Sequence, residues 1–268
     1  MNISIFTSMT DPIARNDPWE ESLSCYKDFA DEVVVVGQDW PKEFQWDYIG
    51  KTFQEGFDKS IGDWVLWMDL DNMIHEKDFQ YIKNLLANNF EKPAVGFPMR
   101  QIFTPDRYQM KTIKCLALNK KKFPMIKLNG GGDLCLPTIN NKLIKVKDLQ
   151  ISKKPVWNYD TVFRTKEIIK SDRLRFAKAW YAYFGDWGDR GGPTEIEAFE
   201  AWFKMVSERY NKHFLKLKIE EHPKYIIQKL KNLTPDQFGY DAFGLKNIAT
   251  VSIMDKLRAV KNKIVYEI

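Results

Sequence analysis

Histidine and cysteine are scarce in this chain, three of each in 268 residues. Cys25, Cys115 and Cys135 lie far apart, with no CxxC and no Cys/His spacing. That excludes a disulfide framework and a zinc site of the usual spacing, and it fits a reducing, cytoplasmic setting. Long apolar runs are missing as well. No stretch reaches the roughly 18 residues a membrane span needs, and the opening MNISIFTSMTDP lacks the basic segment and long apolar core of a secretion signal. Nor is there a strong excess of one charge. The 41 basic residues nearly balance 36 acidic ones, for a net +5, which argues against a nucleic-acid partner.

What the chain does have is 44% hydrophobic and 14% aromatic content. That is enough to bury a large core in one domain, or in one domain with an appendage. Residues 3–7 read as a strand that breaks at SMTDP. Asp17, Pro18 and Glu20 suggest a helix start, with Asp17 as N-cap, and the helix runs to about Ala30. Val33, Val34, Val35 and Val36 suit a strand covered on both faces. An aromatic loop follows, then a helix at about 51–60 and an apolar strand at 65–68.

This β, α, β, α, β order within 70 residues predicts an α/β fold, in which ligands gather at the carboxyl ends of the strands. A helix at about 78–89 and strands at 94–98, 113–118 and near Leu134 extend it. Thr194 and Glu197 form a capping box that opens a helix through Trp202 and Val206. We divide the chain into a sheet-bearing part, 1–165, and a mainly helical part, 166–268.

The stretch GDWVLWMDLDN, residues 62–72, ends an apolar strand on two acids, Asp69 and Asp71. In a strand, residues i and i+2 share a side, so the two carboxylates would converge while Leu70 turns into the core. Carboxylates that close repel one another unless a cation lies between them. Mn2+ or Mg2+, held by one or two carboxylates and completed by phosphate and water, resolves the repulsion. The plainer reading is an acidic pair that solvates a turn or caps a helix.

With Asp39 closing the valine strand, Gln54-Glu55-Gly56 on the next helix, and HEKDF after the paired acids, the first 90 residues resemble a glycosyltransferase of the GT-A fold, family 2-like, with a DxD motif. The resemblance implies a Rossmann-like, mixed and mainly parallel sheet flanked by helices. It implies a nucleoside diphosphate sugar as donor and a glycan or lipid-linked acceptor. Thr7 and Ser8 would border the base and ribose, and Asp39 would hydrogen-bond the base. Asp69 would approach the ribose or the metal, and Asp71 would ligate the metal.

An inverting transfer needs a carboxylate base on the acceptor side. Asp133 is the candidate, because the glycines of NGGGD permit close approach of backbone and substrate. Asp160 is the second candidate. In relatives of this type a HY…R element follows the sheet; VWNYDTVFRTK is similar, but Asn158 stands where histidine is expected. Arg164 or Lys166 would meet the diphosphate. His75 reads as the decoration of a helix start and His222 as part of a loop.

The aromatic stretch WYAYFGDWGDRGG, 180–192, reads as a helix end stopped by Gly185 and Gly188. Residues 245–265 read as an amphipathic basic helix, packed on its own domain or in weak peripheral contact with a membrane. Two other function classes fit less well. A sugar nucleotidyltransferase would carry a glycine-rich basic loop after the first strand, and SMTDPIAR has no glycine. A non-catalytic carbohydrate-binding protein would share the fold without turnover.

Overall fold

A computed structural model of the chain describes residues 1–40, 43, 45–129, 136–248 and 251–267. Asp133 and Cys135 lie outside the described residues. Strands β1 (Ile3–Ser8), β2 (Glu32–Val36) and β3 (Trp64–Trp67) alternate with helices α1 (Trp19–Phe29) and α2 (Trp46–Lys59). The strands pair in parallel, with β1 between the other two. Period-two alternation sorts their side chains between two layers. Ile3, Ile5, Trp64 and Leu66 pack with Tyr26 and Phe29 of α1. Phe6 and Val65 pack with Ile49, Phe53 and Phe57 of α2. Val33 joins the first layer and Val34 the second, as the valine run implies, although β2 is the outer strand of the sheet and stays half-buried.

After β4 (Asn72–Met73) and α3 (Phe79–Asn88), a long antiparallel hairpin forms from β5 (Ala94–Thr104) and β6 (Arg107–Asn119). Strands β7 (Lys127–Asn129), β8 (Leu136–Ile139) and β9 (Lys142–Leu143) make a small separate sheet. β10 (Gln150–Ile151) and β11 (Val156–Asn158) return to the main sheet beside β5. Among the described residues the main sheet runs β2-β1-β3-β6-β5-β11-β4. It is mixed, parallel through its first three strands and antiparallel across β3, β6 and β5.

The C-terminal part is mostly helical: α4 (Lys166–Phe184), α5 (Glu195–Tyr210), α6 (Ile227–Lys231), α7 (Phe238–Asp241), α8 (Leu245–Ile248) and α9 (Ile253–Glu267), with β12 (Leu215–Lys216) added to β6. Leu215, Ile226 and Leu230 share a cluster with the sheet, and Phe199, Trp202 and Phe238 pack around Phe103 of β5. The Thr194/Glu197 capping box forms.

Three local expectations are corrected. Asp17 does not cap α1, whose N-cap is Pro18 with no side-chain bond; its carboxylate is engaged by arginines instead. α2 begins at Trp46, absorbing part of the expected aromatic loop. The strand expected to end at Pro98 continues to Thr104, because a register shift between Pro98 and Arg100 accommodates the missing donor.

α2 lies so close over β1 that a Cβ at Gly56 would fall within 2.7 Å of the Phe6 ring carbon Cγ. Phe6 is wholly buried and cannot swing away. Gly56→Ala is therefore expected to lower stability by about 1–3 kcal/mol despite alanine's better helix propensity, as read by urea denaturation; an unchanged midpoint would show that the two elements are not in that contact.

Candidate active site

The carboxyl ends of β1, β2, β3 and β11 meet along one edge, and the paired acids lie there. They do not sit on a strand. β3 ends at Trp67, and residues 69–72 form a β-turn in which Asn72 N donates to Asp69 O at 2.9 Å. This corrects the extended arrangement expected for them, although Leu70 is buried as expected.

Every carbonyl of that turn is pinned. The Tyr26 hydroxyl lies 2.5 Å from Asp69 O and 2.8 Å from Asn72 O. Ser22 Oγ donates to Leu70 O at 2.6 Å, and Tyr159 N donates to Asp71 O at 2.8 Å. Asn158 Nδ2 donates to Asn72 Oδ1 at 3.1 Å. Burial, then the neighbouring Cys25, Asp71 and Asp69, push the Tyr26 hydroxyl well above its ordinary range, so it remains a donor. Asn158, which stands in place of the expected histidine, thus works as a strap.

The two carboxylates differ. Asp69 Oδ1 accepts from the Trp67 indole N–H at 3.0 Å. Asp71 Oδ1 is sealed from solvent with no hydrogen-bond partner. Burial, with the Asp160, Asp69 and Asp17 charges added, pushes the Asp71 carboxyl up to about 8. A buried carboxylate oxygen without a proton donor fits a hard divalent cation. Among the described residues no group of three or more His, Cys, Asp or Glu side chains could hold one, so Asp71 and Asp69 offer only part of a coordination shell.

Asp160 follows β11, and the Tyr159–Asp71 backbone bond brings it beside the turn. Its Oδ1 is 3.9 Å from Arg164 Nη1 and 4.0 Å from Arg173 Nη2. Arg164 itself is buried. Its Nη2 is 2.6 Å from Asp17 Oδ1 and its Nη1 is 3.2 Å from Asp172 Oδ2. Burial opposes its charge, but Asp17 and Asp172 more than offset that. The guanidinium of Arg164, the residue expected to meet a diphosphate, is engaged in a buried ion network. Arg15 completes the network, 3.1 Å from both Asp17 and Asp172. Lys166, the other cation expected there, lies over the Phe199 ring, 5.1 Å from its centroid.

Thr7 is wholly buried, with its Oγ1 unpartnered. Ser8 Oγ is 3.3 Å from Thr10 Oγ1, and a Cβ at Gly37 would fall 2.7 Å from it. Gly37 has φ +73°, so glycine serves both the left-handed turn and the close approach of the ends of β1 and β2. Asp39 stands exposed just beyond. Asp133 lies outside the described residues.

His222 is structural. Its Nε2 donates to Pro105 O and its Nδ1 accepts from Tyr159 OH, each at 2.9 Å, while burial lowers its pKa to about 4 and keeps it neutral. His75 Nδ1 accepts from Lys77 N at 3.2 Å. α4 stops at Gly185, φ +81°, as expected. Trp180 packs on Trp46 beneath Arg190, whereas Tyr181, Tyr183 and Phe184 stay exposed. An open cleft of about 800 Å3 runs along α2, rimmed by Asp47, Lys51, Gln54, Lys127, Asn129 and Tyr183. None of Asp69, Asp71 and Asp160 lines it.

Ser22 and Tyr26 were not singled out in the sequence. Their signal was present: two hydroxyls at i and i+4, on the helix face that also carries Cys25 and Phe29.

No family model and no curated protein matches the chain. Among solved structures it is similar to residues 1–349 of Staphylococcus aureus TarS, at 9% identity and a TM-score of 0.35, covering 99% of this chain and 91% of that one. The same protein in complex with UDP-GlcNAc aligns at 10% identity and TM-score 0.32, covering 99% and 92%. With UDP the figures are 12% and 0.33, covering 99% and 91%.

Two outcomes follow from the ionic arrangement. Asp71→Asn removes a desolvated charge and should stabilise the metal-free protein. The folded-state pKa lies above the unfolded one, so the penalty is absent below about pH 4, grows up to pH 8 and is complete above it. A gain of about 1–2 kcal/mol, or roughly 3–6 °C in Tm, is expected at pH 8 and none at pH 4; equal gains at both would refute the buried charge. Arg164→Ala should cost about 3 kcal/mol or more by orphaning Asp17 and Asp172, measured by thermal unfolding. A fully stable variant would return Arg164 to ligand binding.

Proposed function

We propose that the chain is a glycosyltransferase that takes its sugar from a nucleoside diphosphate donor in a cytoplasmic setting. The observation that carries this reading is the sealed, unpartnered Oδ1 of Asp71, in a turn whose four carbonyls are all pinned at the ligand-binding edge of the sheet. Asp71 and Asp69 would hold Mn2+ or Mg2+, with phosphate oxygens and water completing the shell. When bound, the cation supplies a Lewis acid for the charge that develops on the leaving diphosphate.

The chain's own residues have separate tasks in this reading. Ser22, Tyr26, Tyr159 and Asn158 hold the carboxylates in place, so little reorganisation is needed when the donor binds. Ser8, Gly37 and Asp39 border the space for the base and ribose, with Thr7 behind them. A carboxylate takes the proton of the acceptor hydroxyl as its oxygen bonds to the anomeric carbon and the bond to the diphosphate breaks, inverting that carbon. Asp133 is assigned this role and Asp160 is the second candidate. The acceptor is a glycan or a lipid-linked hydroxyl compound. The cleft along α2 suits it, since its rim residue Asn129 precedes the NGGGD glycines directly.

Calorimetry with UDP, GDP, ADP and CDP in the presence of Mn2+ tests the proposal. One of them should bind, with Asp71→Asn reducing affinity by about 100-fold or more. Failure of all four would count against a nucleotide-sugar enzyme. Asp133→Ala should keep donor binding yet lose about 100-fold or more in turnover; unchanged turnover would move the base to Asp160, tested by Asp160→Ala.

A further inference from the structure

Helix α9 packs the wrong way round for a helix of a water-soluble domain. At about 100° per residue, Asp255, Ala259 and Asn262 share one face, and it is this face that meets the rest of the protein. Ala259 is buried, while Asp255 and Asn262 are half-buried. The opposite face carries Ile253, Leu257, Val260 and Ile264, which remain 75%, 60%, 47% and 56% exposed. Met254 and Val265, beside that stripe, are exposed too. Amphipathic helices normally turn the apolar side inward. Here an apolar stripe about 20 Å long points into solvent, and its start is fixed by Ser252, whose Oγ accepts from Asp255 N at 3.1 Å and donates to Asp255 Oδ2 at 2.6 Å.

Charge decides what covers the stripe. Lys256 and Lys263 run along one border and Lys261 along the other, all exposed. Arg258 lies further round, 4.0 Å from Asp255. Among the described side chains no carboxylate lies on either border. A second copy of the helix laid against this one would set lysines against lysines. An anionic bilayer does the opposite: the four aliphatic residues enter the boundary between headgroups and acyl chains, and the lysines extend outward to the phosphates. No helix among the described residues is long and apolar enough to cross a membrane, so the contact is peripheral.

We propose that α9 is an interfacial anchor that docks the protein on an anionic lipid surface through Ile253, Leu257, Val260 and Ile264, with Lys256, Lys261 and Lys263 binding the headgroups. This is independent of the catalytic reading, since none of these residues belongs to the carboxylate edge.

The test is flotation of the full-length chain with vesicles of phosphatidylcholine alone or with roughly one third phosphatidylglycerol, at low and high salt. Binding to the anionic vesicles is expected, weakened by salt. Leu257→Glu, or Lys256→Glu with Lys263→Glu, should each lower partitioning by about tenfold or more. All replaced residues are exposed, and an unchanged circular dichroism spectrum verifies the fold. Absence of binding, or equal binding to both vesicle types, overturns the proposal. So does a dimer in lipid-free solution that Leu257→Glu dissociates, because the stripe would then be covered by a second copy.

Discussion

The candidate site depends on keeping like charges close to one another without the chain relaxing away from them. Asp69, Asp71, Asp160 and Asp17 all contribute to one electrostatic neighbourhood, and mutual repulsion favours any backbone movement that separates them. The protein resists through the backbone. α1 supplies Ser22 and Tyr26, and the strand end at β11 supplies Tyr159 and Asn158. The hydrophobic layer beneath supports both, since Tyr26 and Tyr159 are themselves fully buried. Packing thereby becomes electrostatic pre-organisation: the core fixes the straps, the straps fix the turn, and the turn presents its acids.

The arginines sharpen that division. Asp17 and Asp172 are matched by Arg15 and Arg164, and Asp172 is held well below the usual carboxylate range by them together with Arg173 and Arg175, against the opposing effect of burial. Asp71 receives no such partner at Oδ1. A chain able to place four arginines around one aspartate could have placed one beside Asp71. Leaving that oxygen unpaired costs stability, and such costs collect at functional sites.

Much of the sheet was legible in the sequence because its signals are local. Alternation between Ile5, Phe6, Val65 and Leu66 assigns each residue to a layer, and Thr194 with Glu197 marks a helix start without reference to anything distant. Failures arose where a long-range partner overrode a local rule. Asp17 has the residue type and position of an N-cap, but Arg164, far along the chain, takes its carboxylate. Pro98 looks like a strand end until β6 supplies the register shift that carries β5 past it. The acid pair was legible as a candidate site, yet its turn geometry was not, because the turn is imposed by hydroxyls on α1 and an amide beyond β11.

α9 departs from a local rule for a different physical cause. Its periodic apolar residues announce an amphipathic helix, and the local rule says that they face the core. Instead Ala259 makes the inward contact and the larger aliphatics face out. The core of the domain is filled without them, since Leu215, Leu217, Ile226 and Leu230 already cover that side of the sheet. In both places the chain stops short of satisfying its own groups. At the sheet edge Asp71 Oδ1 is sealed without a hydrogen-bond partner, and on α9 an apolar stripe faces solvent. The two proposals complete these features differently, with a hard divalent cation in the first case and an anionic lipid surface in the second.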